Sequence, residues 1–374
     1  MEKILVLGGG MVGSAIASDL CNEFDVTIAD INAKGLKHLK SLYPLNTVVC
    51  DVSEQGNISE LVKGFRLVIS AVPGKIGFET LRALISAGID VVDISFFEQD
   101  PFELDELART MDVTAIIDCG IAPGLSNIIL GYHNELMEVE SYECYVGGLP
   151  YKRKWPFEYK AFFSPGDVIQ EYIRPARYVS NGKIVTVEAL SDPELIEFDE
   201  VGTLEAFNTD GLRTLIKTMK IPNMIEKTMR YPGHKELMKV FRDSGFFSDE
   251  EIMINDQAIR PVDLTSKLLF NHWKPQKDED EFTIMKLVIK GKETTKAKEY
   301  VYKIFDRYDS ETGISSMART TGYTCTSVAR LLLEGNLESK GISPPEYIGA
   351  IPGYNDRILK MLGGKNITIQ VTEI

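Results

Sequence analysis

The sequence predicts an α/β chain, in which a doubly wound parallel sheet carries an inserted α+β domain containing a mostly antiparallel sheet. Three observations predict it. Between residues 3 and 120, short apolar runs alternate with stretches of helical length, the pattern of parallel strands joined by right-handed crossovers. A glycine cluster joins the first apolar run to the first helical stretch. In several segments beyond residue 140 the hydrophobic period shortens to two, as half-buried antiparallel strands require. The 374 residues allow two or three domains at the usual ~100–200 residues each.

The first element is the most informative. Ile4-Leu5-Val6-Leu7 runs into Gly8-Gly9-Gly10-Met11-Val12-Gly13, a small-residue helix follows, and Val26-Thr27-Ile28-Ala29 ends on Asp30. Strand, tight turn, helix, strand and acid make the Gly-x-Gly-x-x-Gly fingerprint of a Rossmann dinucleotide site. Gly8 allows the turn, Gly10 lets a pyrophosphate approach the backbone, and Gly13 lets the helix pack close. The N–H groups at the helix start, around Met11 and Val12, then face the phosphates. Asp30 sits roughly 20 residues on, where a carboxylate accepts from a ribose 2′-OH. Neither Ile31 nor Asn32 is a cation for a 2′-phosphate, so the stretch predicts NAD over NADP.

The following elements continue the alternation. A helix over 33–43 leads to a strand over 47–50 ending at Asp51-Val52, where Asp51 either lies beside the adenine or caps the next helix. The strand over 67–72 ends in Ala71-Val72-Pro73, and the carboxyl ends of such strands are where ligands bind, so these three should touch the cofactor. Helix 78–87, strand 90–97, helix 103–111 and strand 114–120 complete a nucleotide domain over 1–124. Ala122-Pro123-Gly124 breaks the pattern, and a helix over 125–136 opens a second domain over 125–316. Strands are expected there over 183–189, 282–290 and 298–308, and helices over 211–219, 235–243 and 266–271. Residues 274–281 read as a solvated loop. A helix over 317–334 begins a segment to 350 that returns to the nucleotide domain, leaving 351–374 as a tail.

Composition narrows the function. A net charge of −14 argues against nucleic acid or anionic membrane as a bulk partner, since phosphate binding needs clustered cations. It leaves room for an anionic small substrate held by a few arginines. The five cysteines are scattered, with no metal-ligand spacing, as expected of reduced thiols in a cytoplasmic protein without a bound metal. The first strand begins at once, so no signal peptide is expected, and no apolar run approaches the ~18 residues that span a bilayer.

A series of motifs adds to this reading: Asp93-Ile94-Ser95-Phe96-Phe97, Asp118-Cys119-Gly120-Ile121-Ala122-Pro123-Gly124 and Gly147-Gly148-Leu149-Pro150. Further on come 205–214 (EAFNTDGLRT), Thr228-Met229-Arg230-Tyr231-Pro232-Gly233-His234 and Thr320-Thr321-Gly322-Tyr323. In this order, together with the glycine turn, they resemble the saccharopine dehydrogenase family over nearly the whole chain, and within it the lysine 6-dehydrogenase branch. The resemblance implies a dimer made largely by the inserted domain's sheet and oxidation of a C–N bond at the lysine ε-position. In saccharopine reductases an aspartate tends to stand where this chain has Ala122, and a tyrosine where it has Phe96. Losing two polar substrate contacts favours the smaller substrate, lysine; a carboxylated polyamine is the other way to read the same change.

That chemistry needs a base and a cation. A lysine ε-ammonium, with a reference pKa of ~10.4, must lose a proton before hydride can leave its carbon. Three groups are candidates: His234, which titrates near neutrality, and Asp93 and Asp118 at strand ends. Each also has a structural reading, as a helix-start residue or a turn partner. Arg213 and Arg230 are candidates for the substrate carboxylate, which a guanidinium grips through two parallel hydrogen bonds; the resemblance places both near the substrate, with Thr228 beside Arg230. It also makes Ser164 a contact from the second domain to the cofactor, unless Ser164 only caps the helix that follows. The basic run Lys152-Arg153-Lys154 reads as a solvated loop. A non-catalytic, NAD-binding regulatory protein of the same fold is the alternative of a different class.

Overall fold

The computed structural model describes residues 1–161, 165–276, 279–335, 337 and 339–374. The chain forms two compact units, one of Met1–Glu135 with Ala318–Asn366 and one of Leu136–Met317 with Ile367–Ile374. In order, the first passage carries β1 (Lys3–Leu7), α1 (Met11–Leu20), β2 (Asp25–Asp30), α2 (Ala33–Leu42), β3 (Asn46–Val49), α3 (Gln55–Leu61), β4 (Leu67–Ser70), α4 (Gly74–Ser86) and β5 (Val91–Asp93). A 3-10 turn at Pro101–Leu104 runs into α5 (Asp105–Thr110), then β6 (Thr114–Ile116) and α6 (Leu125–Leu136). The second passage carries β7 (Glu138–Pro150), α7 (Pro165–Ile173), β8 (Ala176–Ser180), β9 (Lys183–Val187), β10 (Glu194–Phe198), β11 (Gly202–Asn208), α8 (Leu215–Thr218), β12 (Asn223–Arg230) and α9 (His234–Asp243). It continues with β13 (Ile252–Ile254), β14 (Gln257–Ile259), α10 (Pro261–Trp273), β15 (Glu281–Glu293) and β16 (Lys296–Arg307). The last passage carries α11 (Ser316–Leu333), β17 (Gly341–Ser343), α12 (Pro345–Gly349), α13 (Tyr354–Gly363) and β18 (Thr368–Glu373).

In the first unit, strands run in the order β17-β6-β5-β4-β1-β2-β3, every pair parallel. Strand order reverses beside β1, which places the topological switch point at the glycine turn. Ile4, Leu5, Val6 and Leu7 are fully buried, as an unbroken apolar run must be when both faces of a parallel strand are covered. Each such side chain contributes roughly 1.5–3 kcal/mol. The long helix α11 returns to this unit and packs on α1, where Gly322 lets Ile16 and Ala15 approach. Thr326 Oγ1 donates to Asp19 Oδ2 at 2.6 Å, and Arg330 pairs with the same oxygen at 2.8 Å. Burial would raise the Asp19 carboxyl, but Arg330, Lys365 and Thr326 outweigh it and hold it below the usual range.

In the second unit the sheet order is β10-β11-β12-β7-β15-β16-β18, with β8 joining β12 and β9 joining β8. Only the β12–β7 pair is parallel, so this sheet is mostly antiparallel. Tyr172, Phe207, Trp273 and Phe282 are fully buried in its core.

Several boundaries differ from the sequence expectation. Helix α6 belongs to the first unit, because Gly131 and Gly349 bring it against α12 so closely that a Cβ at Gly131 would lie 2.0 Å from the Glu346 carbonyl. Residues 351–374 are no tail: α13 buries Ile358 and Leu362, and β18 pairs with β16. The expected helix over 211–219 shrinks to α8, since Arg213 has a φ of 49°. Proline at the first position starts α10 five residues early. The expected solvated loop stops short of Glu281, which is fully buried and accepts the Ser316 N–H at the start of α11.

Candidate functional site

The glycine turn has the geometry its three glycines predict. Gly8 has a φ of +95°, and a Cβ there would lie 2.4 Å from the Ala71 carbonyl oxygen. A Cβ on Gly13 would lie 2.0 Å from the Gly8 carbonyl oxygen. At Gly10, by contrast, no heavy atom lies within 4 Å of a built Cβ, so the space above it is open. Gly10 is the N-cap of α1, Met11 is exposed and Val12 half-buried, so the first-turn N–H groups border that space. Asp30 ends β2 half-buried; its Oδ2 accepts the Gly9 N–H at 2.6 Å and its Oδ1 the Asn32 N–H at 2.6 Å. The same backbone contacts that shape the turn therefore fix this carboxylate.

The neighbouring strand ends divide. Pro73 is exposed and Ala71 half-buried at the carboxyl end of β4, beside Gly8, whereas Val72 is buried in the core. Asp51 accepts from Ser53 N–H at 2.9 Å and Ser53 Oγ at 2.6 Å, which lowers its carboxyl pKa; Glu54, not Asp51, precedes α3. Val52 packs its side chain into the core with Ile58, leaving only its backbone for a ligand.

Two acids meet at the carboxyl ends of β5 and β6. Asp93 is fully buried, accepting from Ser95 N–H at 3.0 Å and Ser95 Oγ at 2.9 Å, with Ser70 Oγ 3.5 Å beyond. Burial pushes its carboxyl up to about 7, against the pull of Ser70 and Ser95 and with a further push from Asp118. Asp118 is buried too and has a φ of 51°. Its loop is folded tightly: Cys119 N–H donates to Asp93 O at 3.0 Å, and Gly120 N–H to Pro123 O at 3.1 Å. The Ala122–Pro123 peptide is cis, and a Cβ on Gly124 would lie 1.9 Å from the Gly120 oxygen. Phe96 is half-buried one strand end away.

The second unit corrects two assignments. Arg230 is 3% exposed, and its donors are committed: Nε to Tyr172 Oη at 3.1 Å, Nη1 to Met229 O at 3.0 Å and Nη2 to Glu171 Oε2 at 2.8 Å. Its guanidinium lies 4.6 Å from the Tyr159 ring. Burial opposes its charge, but Tyr172, Tyr159 and Glu171 outweigh burial and keep it protonated. Arg230 is thus an internally neutralised cation rather than one awaiting a substrate carboxylate. His234, also 3% exposed, shares a 3.0 Å hydrogen bond with Tyr172 Oη through Nε2 and a 2.8 Å one with Phe157 O through Nδ1. A carbonyl only accepts, so Nδ1 carries the proton, Nε2 accepts from Tyr172, and Tyr172 accepts from Arg230. Burial, reinforced by Arg230, pushes the imidazole down to about 3. With both nitrogens engaged, His234 is a neutral packing group among Tyr159, Tyr172 and Trp273, not a base.

The remaining candidates are placed as follows. Arg213 is half-buried between β11 and α8 in the left-handed region, where a non-glycine side chain is uncommon. Thr228 Oγ1 lies 2.8 Å from Thr209 Oγ1 in the sheet. Ser164 lies outside the described residues. The sequence reading missed Glu171, Tyr172 and Tyr159, because nothing in local spacing links Glu171 to Arg230, 59 residues away. Among the described residues no group of His, Cys, Asp and Glu could hold a metal ion, and no helix is long and apolar enough to cross a membrane.

Residues 4–116 match the saccharopine dehydrogenase NADP binding domain, and residues 120–367 match the saccharopine dehydrogenase C-terminal domain. The chain belongs to the saccharopine dehydrogenase family. This is a family of oxidoreductases with a pyridine-nucleotide-binding half, here the unit that carries the glycine turn. Among its relatives is the mitochondrial alpha-aminoadipic semialdehyde synthase of Mus musculus, 24% identical over 422 residues, covering 92% of this chain. This chain spans only 45% of that protein's length. The saccharopine dehydrogenase [NADP(+), L-glutamate-forming] of Saccharomyces cerevisiae is 22% identical over 440 residues and covers 97% of both chains. The apo structure of histidine-tagged yeast saccharopine dehydrogenase (L-Glu forming) superposes with a TM-score of 0.80 over the full length of both chains, at 19% identity, which establishes a shared fold.

Proposed function

We propose that this saccharopine dehydrogenase family member is an NAD-dependent dehydrogenase that oxidises the ε-carbon–nitrogen bond of L-lysine, releasing ammonia and the semialdehyde. The observation that carries the choice of lysine is the apolar character of Phe96 and Ala122, where saccharopine reductases tend to have a tyrosine and an aspartate. Lysine brings a single carboxylate and fewer polar groups to satisfy, whereas saccharopine brings three carboxylates.

NAD is the favoured cofactor because Asp30 is fixed by backbone N–H groups beside the turn and faces a 2′-hydroxyl better than a 2′-phosphate. When bound, it supplies a nicotinamide that takes up hydride from the ε-carbon. The residues of this chain do the rest. Arg213 binds the α-carboxylate. Asp93, with Asp118 beside it, takes the ammonium proton; raised to about 7 by burial, the Asp93 carboxyl exchanges a proton close to neutrality. Once the C–H pair of electrons has left, the nitrogen lone pair closes to an imine, water adds to that carbon, and ammonia departs. We further propose a cytoplasmic homodimer formed through the second unit's sheet.

The test follows reduced nicotinamide by absorbance with lysine, saccharopine and carboxynorspermidine side by side. Turnover with lysine and NAD supports the proposal; turnover with saccharopine alone sinks the lysine assignment and keeps the family chemistry. Saccharopine oxidation is the second reading, favoured by the end-to-end match to the yeast enzyme. Binding of NAD with no turnover of any amine would leave the regulatory alternative.

A further inference from the structure

Two serine hydroxyls meet at the Asp93 carboxylate in the core of the first unit. Ser70 ends β4 in register with Asp93 on β5, and Ser95 follows Asp93 by two residues. Ser70 and Asp93 are fully buried and Ser95 is nearly so, so bulk water does not solvate the acid and these hydroxyls take its place. Ser95 N–H donates to Oδ2 at 3.0 Å and Ser95 Oγ to Oδ1 at 2.9 Å. Ser95 Oγ lies in turn 3.5 Å from Ser70 Oγ. A hydroxyl has a single proton, so when Ser95 donates to the ionised acid, the proton between the two serines comes from Ser70. The chain then runs from Ser70 to Ser95 to Asp93, each hydroxyl donating toward the charge. Helix α4 closes it from behind: a Cβ at Gly77 would lie 2.7 Å from Ser95 Cβ and 3.3 Å from its Oγ. Two other titratable groups face Asp93. Asp118, from the loop after β6, adds its charge to the upward push of burial. The Cys325 thiol of α11 is itself held well above the usual thiol range by burial, then by Cys119 and Asp93.

We propose that Ser95 and Ser70 are positioning residues that favour the ionised form of Asp93, acting through one hydrogen-bonded chain. Hydrogen bonds from N–H and O–H to a carboxylate are roughly twice as strong as neutral ones, so both serines favour the form that accepts a proton. They oppose burial and Asp118, which favour the neutral acid. The catalytic consequence rests on the reading of Asp93 as the group that takes the ammonium proton; the coupling of serines to aspartate does not.

The test applies two readouts to Ser95→Ala and Ser70→Ala in the whole chain. Infrared titration follows the protonated Asp93 carboxyl, identified by its absence in Asp93→Asn, and needs no substrate. Its midpoint should rise by about one pH unit in Ser95→Ala, which keeps the Ser95 N–H bond, and by a smaller step in Ser70→Ala. The acidic limb of kcat/KM with lysine and NAD should move up by the same steps, a roughly tenfold loss for Ser95→Ala well below the midpoint. A loss of activity at all pH values with both the midpoint and the limb in place is what a merely structural role predicts, and it would overturn the inference. So would an unmoved midpoint in Ser70→Ala, which leaves Ser95 acting by itself, or a limb that moves while the midpoint does not. A raised midpoint with an unmoved limb supports the serine chain and removes Asp93 as the base, so the two readings fail separately.

Discussion

A carboxylate at residue 30 and three glycines make the most exacting predictions. Asp30→Ala removes the acceptor for a ribose hydroxyl and the repulsion of a 2′-phosphate; the ratio of kcat/KM for NAD over NADP should fall at least about tenfold, a loss of ~1.4 kcal/mol of discrimination. A wild type that already prefers NADP would refute this reading of Asp30. The glycines should separate by role. Gly10→Ala meets no neighbour within 4 Å, so it should fold with a nearly unchanged Tm but bind dinucleotide weakly in a fluorescence titration. Gly13→Ala puts a methyl 2.0 Å from the Gly8 oxygen, so it should lower Tm as well as lose the cofactor. His234→Asn should leave the pH dependence of kcat/KM where it was, because a neutral, doubly bonded imidazole does not titrate in that range; a shift of the acidic limb would restore His234 as the base. These glycine roles were legible in the sequence because each follows from backbone geometry a few residues long. The state of Arg230 and His234 was not, since burial and the partners Glu171 and Tyr172 are set by β12 and α7 coming together in the fold.

Elements repeat that contrast. The alternation of apolar run and helical stretch was enough to assign the parallel sheet, because strands covered on both faces and amphipathic helices differ in period. The return of α11 was legible from its small residues, but its anchor was not: Asp19 on α1 meets Thr326 and Arg330 more than 300 positions later. Arg330→Ala should remove one of the two cations that hold the buried Asp19 carboxylate, leaving Lys365 and Thr326, and cost roughly 1.5–3 kcal/mol, read by urea unfolding. Asp19 has a lowered folded pKa, so its contribution is present above the ordinary carboxylate range and fades as pH falls through the folded value. The wild type should therefore lose more stability than Arg330→Ala on acidification.

For the whole molecule the buried titrating groups set the pH range of greatest stability. Asp93 is raised to about 7 and Glu281 to about 8 by burial, so the native state holds protons that the unfolded chain has released. Their contributions are complete below the ordinary carboxylate values and are lost as pH rises through 7 and 8. His133 and His234 are pushed down to about 4 and 3, so their contributions are complete above the ordinary histidine value and fade as pH falls. Stability to urea should peak in mildly acidic solution, near pH ~5–6.5, and decline on the alkaline side. Glu281→Gln should flatten the decline toward pH 8, because the amide keeps the shape and carries no charge; an equal slope in both proteins would rule Glu281 out as a cause.

By itself, the sequence determined the two architectures, the position of the nucleotide turn and the acid that ends β2, because those depend on periodicity and on conformations only glycine adopts. It placed Asp93 and Asp118 at strand ends, where the sheet's direction alone puts ligands. Only the tertiary structure decided which charges are available. It neutralised Arg230 with Glu171, buried His234 between Tyr172 and Phe157, lifted Asp93 toward neutrality, and brought Arg66, Asp90 and Lys340 to one edge of the sheet. The physical reason is the same throughout: a side chain's charge and reactivity depend on its desolvation and on neighbours distant in sequence, and chain spacing encodes neither.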